Sequence, residues 1–296
     1  MAQKLKLGII GMSDGNGHPY SWAAIFNGYH KGKMELCPFK AIPEYLKKET
    51  FPDNFLNKYG VVTHIWTQDP KISNQIAEAS NIPKVCDHFE EMIGEIDALL
   101  LARDDAENHF KFAHKFLSEG IPVYIDKPFA LDTASAIKLW NTTTFEDQIF
   151  TCSAIQFAKE FQKNQIKDEV IGNINMVWAS TPKSWNKYAV HIIEPVLNLL
   201  KGRGKIKYIK PIKHGVSVEW KSGISCVFQT TEDLISPIWI RVQGDRGFQD
   251  LYFEDSFYAF KQALKRFVDV VNKQKPNLPK SNTIEMVEIL EQARNA

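Results

Sequence analysis

Residues 4–22 read KLKLGIIGMSDGNGHPYSW, and the reading of this stretch decides the fold. KLKLGII is rich in leucine and isoleucine and stops at Gly11, the pattern of a short buried strand. HPYSW places Pro19 in a first helical turn, where the missing N–H costs nothing. Between them, GMSDGNG is a glycine-rich turn. Strand, glycine turn and helix start in this order form an anion site suited to the pyrophosphate of a dinucleotide. The G-x-G-x-x-G spacing would put glycines at 11, 13 and 16. This chain has Gly11, Ser13 and Asn16, with Gly15 and Gly17 one place off. A pyrophosphate is expected over residues 11–17, touching Gly11, Met12, Ser13, Asn16 and Gly17. Asn16 is expected to take the positive φ, and Gly15 and Gly17 to let the backbone approach closely.

Working outward, strand-like and helix-like runs alternate to about residue 155. GVVTHIWTQ (60–68), VCD (85–87), IDALLLA (96–102), PVYIDKP (122–128) and QIFTCSAI (148–155) read as strands. PKISNQIAEASN (70–81), HFEEMIGE (88–95), AENHFKFAHKFLSEG (106–120) and TASAIKLWNTTT (133–144) read as helices. This alternation predicts parallel βαβ units with helices on both faces. Beyond it, NINMVWAST, IKYIKPI, VSVEW, SGISCVFQTT and PIWIRVQGD follow with one helix among them, at about 189–201, which predicts a largely antiparallel sheet. Two closing helices end the chain. The fold class is α/β, with domains at 1–128 and 129–296. The stretch 34–60 fits neither pattern and reads as an insertion that packs on the surface or lines the cofactor entry.

The bulk composition excludes several classes. The 296 residues carry 36 basic and 35 acidic side chains, net +1, which gives no case for nucleic acid or an anionic membrane. No run approaches the ~18 apolar residues of a membrane span or forms a signal-peptide core. The four cysteines form no CxxC and are expected to be reduced thiols in a cytoplasmic protein. The eight histidines form no HxH or HExxH, so no metal is expected.

Two strand ends carry candidate ligand contacts. After the second strand, where an acid often takes the ribose hydroxyls, stand Thr67, Gln68 and Asp69. No arginine follows them, and Lys71 is the nearest cation, so NAD and NADP both stay open. Arg103 follows IDALLLA as a further cofactor contact. In PVYIDKP, Lys127 sits at a strand's C-terminal end between Asp126 and Pro128, facing the crevice where open α/β sheets bind ligands.

These residues resemble the Gfo/Idh/MocA family, the glucose–fructose oxidoreductase and inositol dehydrogenase group. The matching pieces come in the family's order: GIIG, DPKISNQIAEASNIP, IDALLLARDDAENHFKFAHKFLSEGIPVYIDKPFALD, IGNINMVWAS, KYAVHIIEPVLNLLKG and SFYAFKQALKRFVDVVNKQKPNLP. The resemblance implies a Rossmann domain, then an α/β domain with a large open sheet through which members associate as homodimers or homotetramers. It implies hydride transfer between NAD or NADP and a secondary alcohol or ketone of a sugar, cyclitol or related hydroxy compound. Lys127 matches the family's lysine beside the nicotinamide, and Asp126 replaces its glutamate. His191 matches the histidine of the Asp-x-Gly-x-His-x-x-Asp motif. Glu194 takes the place of its last acid, Lys187 that of its first aspartate, and Ala189 that of its glycine. Gln156 stands where many members have arginine.

The chemistry of these residues agrees with hydride transfer. Histidine, with an ordinary pKa of about 6.5, can take or give a hydroxyl proton near neutral pH. A lysine ammonium stabilises developing alkoxide charge. Lys127 and His191 are therefore the candidate catalytic residues, with Lys187, Tyr188, Glu194 and Gln156 as substrate contacts. Lys187 would repel a charged imidazole and suits an anionic substrate group, while Glu194, one helical turn past His191, would offset its charge. The departures from the family motif also fit a second reading, a catalytically inactive cofactor-binding sensor or regulator. Trp178, Trp185, Trp220 and Trp239 read as sheet packing or interface rather than as a sugar platform.

Overall fold

A computed structural model describes residues 4–294. The chain divides into two units. The first comprises residues up to Lys127, Ile137–Thr151 and Phe260–Leu278; the second comprises Pro128–Ala136, Cys152–Ala259 and the chain from Pro279 onward.

The first unit is built on six parallel strands, β1 (Leu5–Ile10), β2 (Gly60–Trp66), β3 (Lys84–Val85), β4 (Ala98–Leu101), β5 (Val123–Ile125) and β6 (Ile149–Thr151), in the order β3-β2-β1-β4-β5-β6. Helices α1 (His18–Asn27), α2 (Lys31–Met34), α3 (Ala41–Leu46), α4 (Pro70–Ala79) and α5 (His109–Ser118) follow the strands, and α6 (Thr133–Trp140) leads to β6. Every residue of β4 and β5 is buried, as a parallel sheet covered on both faces requires. The strand order reverses between β1 and β4, so the loop after β1 opens at a topological switch point. QIFTCSAI is a strand only over Ile149–Thr151; Ser153 then caps a 3-10 turn by accepting the Ile155 N–H.

Two glycines bring the first loop down onto its surroundings. A Cβ on Gly11 would lie 2.3 Å from Pro19 Cγ, and one on Gly17 would lie 2.5 Å from Phe39 and 2.6 Å from Ile42. Phe39 and Ile42 belong to the 34–60 segment, which packs on α1. Tyr45 Oη donates to Ser21 Oγ at 2.5 Å, and Leu56 N–H bonds to Ile25 O at 2.8 Å.

A single cut after residue 128 does not describe the units. β6 pairs with β5, which draws 149–151 into the first sheet. In α10 (Ser256–Val271), Phe267 packs beside Tyr124 and Phe150, which draws in residues 260–278.

The second unit holds α7 (Asp168–Ile171), β7 (Ile174–Thr181), α8 (Trp185–Tyr188), α9 (Val190–Leu199), β8 (Ile206–Ile212), β9 (Gly215–Trp220), β10 (Ser225–Thr230), β11 (Trp239–Gly244), β12 (Phe248–Tyr252) and α11 (Lys280–Arg294). Its sheet runs β12-β11-β7-β10-β9-β8 and is antiparallel except for the parallel pair β7–β10. One face alternates into the core beneath α9 and α11: Val177, Ala179, Val218, Cys226, Phe228, Ile240 and Val242 are all buried. Trp220 is fully buried there, its indole N–H on Glu285, and Trp185, on a helix rather than a strand, donates to Leu290 O. Trp178 and Trp239 stand on the other, half-exposed face.

Candidate functional site

In the first unit, the predicted cofactor residues gather around the loop after β1. The positive φ falls on Gly15 (+75°), not on Asn16. Asn16 acts through its side chain instead. Its Oδ1 accepts the His18 N–H at 2.7 Å, and its Nδ2 donates to Asp126 Oδ2 at 2.9 Å. The helix end therefore offers fewer donors than expected, because the His18 N–H is taken and Pro19 has none. The loop supplies them. Among the described residues, the N–H groups of Ser13, Gly15 and Gly17 have no intrachain acceptor, and beyond its two chain neighbours nothing lies within 4 Å of where a Gly15 Cβ would stand. These amides, with Gly11 and Gly17 packed too closely to carry a side chain, fit a dinucleotide diphosphate.

The β2 end is tied to this loop. Gln68 Oε1 accepts the Met12 N–H at 3.1 Å, and Gln68 Nε2 donates to Met12 O at 2.5 Å. Thr67 is buried and bonded to Ser73, while Asp69 turns away to cap α4 at the Lys71 N–H. An arginine does stand here, contrary to the sequence reading, because Arg103 reaches over from the end of β4. Its Nη1 donates to Gln68 Oε1 at 3.0 Å and to Met12 O at 3.3 Å. Its other nitrogens fork onto Asp105 at 2.9 and 2.6 Å. Burial would raise the Asp105 carboxyl, but the hydrogen bonds and charge of Arg103 win and hold it below its ordinary value.

Lys127 follows β5 and is buried with Asp104, its Nζ 3.3 Å from Asp104 Oδ2. Ser13 Oγ donates to Asp104 Oδ1 at 2.6 Å and accepts the Asp104 N–H at 3.0 Å. Asp126 is 1% exposed; its Oδ1 accepts the Lys127 N–H, and its Oδ2 lies 2.5 Å from His18 Nδ1. His18 stacks on Trp22 at 5.2 Å. The sequence reading missed Asp104 and His18. Their signal was slight: one more acid after a strand, and a histidine opening the helix past the glycine turn.

In the second unit, α8 and α9 carry KYAVHIIEP. Lys187 and Tyr188 are half-buried on α8, and the Tyr188 ring meets His191 edge-on at 5.0 Å. Lys183 Nζ donates to Tyr188 Oη at 2.5 Å. His191 Nδ1 lies 2.7 Å from Ser153 Oγ. Glu194 Oε2 accepts the Ser153 N–H at 2.5 Å and Gln156 Nε2 at 3.1 Å, and Gln156 Oε1 accepts from Asn198. Burial pushes the Glu194 carboxyl up to about 8 against the lowering effect of the Ser153 N–H. Glu194 is therefore largely protonated at pH 7 and lacks the charge that would offset Lys187. Ser153, also missed, lies 38 positions from His191, and only a polar residue just after a strand marked it.

The sequence model of an oxidoreductase family with an NAD-binding Rossmann fold matches residues 6–153, half of the chain. The chain belongs to the Gfo/Idh/MocA family. No curated protein matches it in sequence. Among solved structures this family member is similar to GenD2 from gentamicin A biosynthesis, in complex with NAD, at TM-score 0.75 and 14% identity, covering 100% of this chain and 94% of that one. It is similar to biliverdin reductase from Synechocystis sp. PCC 6803, in complex with biliverdin and NADP+, at TM-score 0.70 and 14% identity, covering 98% of each. The myo-inositol 2-dehydrogenase of Lactobacillus plantarum gives TM-score 0.67 at 14% identity, covering 99% and 97%. Likeness at such identities shows the shared fold. Among the described residues of this family member, no helix is long and apolar enough to cross a membrane, and no group of three or more His, Cys, Asp or Glu could hold a metal ion.

Proposed function

We propose that this family member transfers a hydride between NAD(H) or NADP(H) and a secondary alcohol or ketone of a carbohydrate-like compound. The observation that carries the reading is the open loop of residues 11–17, whose unbonded amides lie in the same unit as Lys127. Ser13, Gly15 and Gly17 would hold the diphosphate, with Gln68 and Arg103 toward the ribose. When bound, the nicotinamide supplies the hydride. Lys127 would stabilise negative charge developing on a substrate, His191 would serve proton transfer, and Lys187 would take an anionic substrate group. Acceptance of both cofactors by related folds supports leaving NAD and NADP together.

A second reading rests on one observation. Lys127 and Asp104 form a buried ion pair, 6% and 7% exposed, which already compensates the lysine charge and suits a cofactor-binding sensor without turnover.

Calorimetric titration with NAD(H) and NADP(H), followed by a dehydrogenase screen over sugars and cyclitols, separates the two. Saturable binding with turnover supports the enzyme, and binding without turnover the sensor. Absence of binding at millimolar concentration defeats both. With a substrate in hand, Lys127→Ala and His191→Ala should each lower kcat by ~100-fold or more. Lys187→Ala should chiefly raise KM.

A further inference from the structure

Ser153 is 0% exposed, so its hydroxyl has to find its hydrogen-bond partners inside the protein. Its oxygen accepts the Ile155 N–H at 3.3 Å as the cap of the turn after β6. Its proton has one destination among the described residues, His191 Nδ1 at 2.7 Å. If His191 Nδ1 carried a hydrogen, the serine would receive two donors and its own O–H would be buried without an acceptor, a costly arrangement.

We infer that Ser153 is a positioning residue that fixes His191 in the tautomer with its proton on Nε2, making the neutral ring a hydrogen-bond donor at that atom. A neutral histidine of this kind polarises a carbonyl oxygen rather than accepting a hydroxyl proton. Glu194 supports this arrangement from behind, because its Oε2 accepts the Ser153 N–H at 2.5 Å and fixes the backbone that carries the hydroxyl. The inference deepens the reading of His191 proposed above and rests on it for its functional meaning. The tautomer itself is a property of the free protein.

The experiment is nitrogen-15 NMR of the histidine-labelled full chain without cofactor, at a pH where the ring is neutral. The His191 signals are assigned by their loss in His191→Gln. The expected spectrum has a pyrrole-type Nε2 and a pyridine-type Nδ1. Ser153→Ala should shift both signals toward the average of a tautomer mixture, and Ser153→Thr, which keeps the hydroxyl, should restore the wild-type positions. A wild-type ring protonated on Nδ1, a mixed wild-type ring, or a Ser153→Ala spectrum unchanged from wild type overturns the inference. Cofactor titration of the same samples is scored separately, so failure of dinucleotide binding is distinguishable from failure of the tautomer assignment.

Discussion

Glu194 is the residue whose environment departs furthest from what its place in the motif suggests. An acid at the end of KYAVHIIE reads as a charged substrate contact, yet burial raises its carboxyl to about 8 and makes it a protonated anchor for the turn at Ser153. The sign of the pH effect follows. The folded state keeps a proton that the unfolded chain releases above about pH 4.5, so the stabilisation is complete below that value and is lost as pH rises toward 8. Within that window the loss is on the order of 1 kcal/mol per pH unit. Glu194→Gln keeps an acceptor for the Ser153 N–H and removes the titration. Denaturant midpoints measured from about pH 5 to 8 should fall for wild type, stay flatter for Glu194→Gln, and leave the variant more stable at pH 8. Parallel curves would remove Glu194 from this role. Lys127 and His191 could be chosen as candidates from the sequence because they sit in local motifs. Asp104 and Ser153 were not, since each acquires its meaning from a partner 91 or 38 positions away.

At the scale of elements, the glycine turn was legible as a turn and misread in detail. The displaced glycines do different jobs: Gly15 supplies the left-handed φ, and Gly17 makes room for Phe39 and Ile42 of the 34–60 segment. Gly17→Ala would put a Cβ within 2.6 Å of both side chains and should cost about 1–3 kcal/mol of unfolding free energy. Gly15→Ala meets open space, so it should lose only about 1 kcal/mol, from its backbone angle. Urea unfolding of the two variants decides the matter, and a Gly15 loss equal to the Gly17 loss would refute the packing argument. The alternation of strands and helices up to residue 155 was legible because burial on both faces of a parallel sheet writes continuous apolar runs. The direction of the β7–β10 pair was not. Alternation states which side of a strand is buried and says nothing about which neighbour it joins.

For the whole molecule, the second unit's sheet offers the surface for self-association that we propose. Its uncovered face carries Trp178 and Trp239, and Phe248 and Tyr252 on the edge strand are 53% and 49% exposed, with Tyr208 at 47% on the opposite edge. Exposed aromatic side chains spaced over one sheet face, among the Arg241–Asp250 ion pair and other polar groups, suit an interface between copies. Light scattering at micromolar concentration should give a dimer or tetramer of the 33.9 kDa chain, and Trp178→Lys should shift it toward the monomer. A monomeric mass throughout would overturn the proposal.

The discontinuous division of the chain bears on how it is made. The first unit's sheet is nearly complete once β5 has left the ribosome, but its last strand, β6, comes later, and Phe267, which packs beside Tyr124 and Phe150, is synthesised more than a hundred residues after β6. The nucleotide-binding unit therefore cannot close its core during translation of its own N-terminal stretch. It must wait, partly open, while almost all of the second unit is synthesised, an interval that exposes apolar sheet to chaperones and to aggregation.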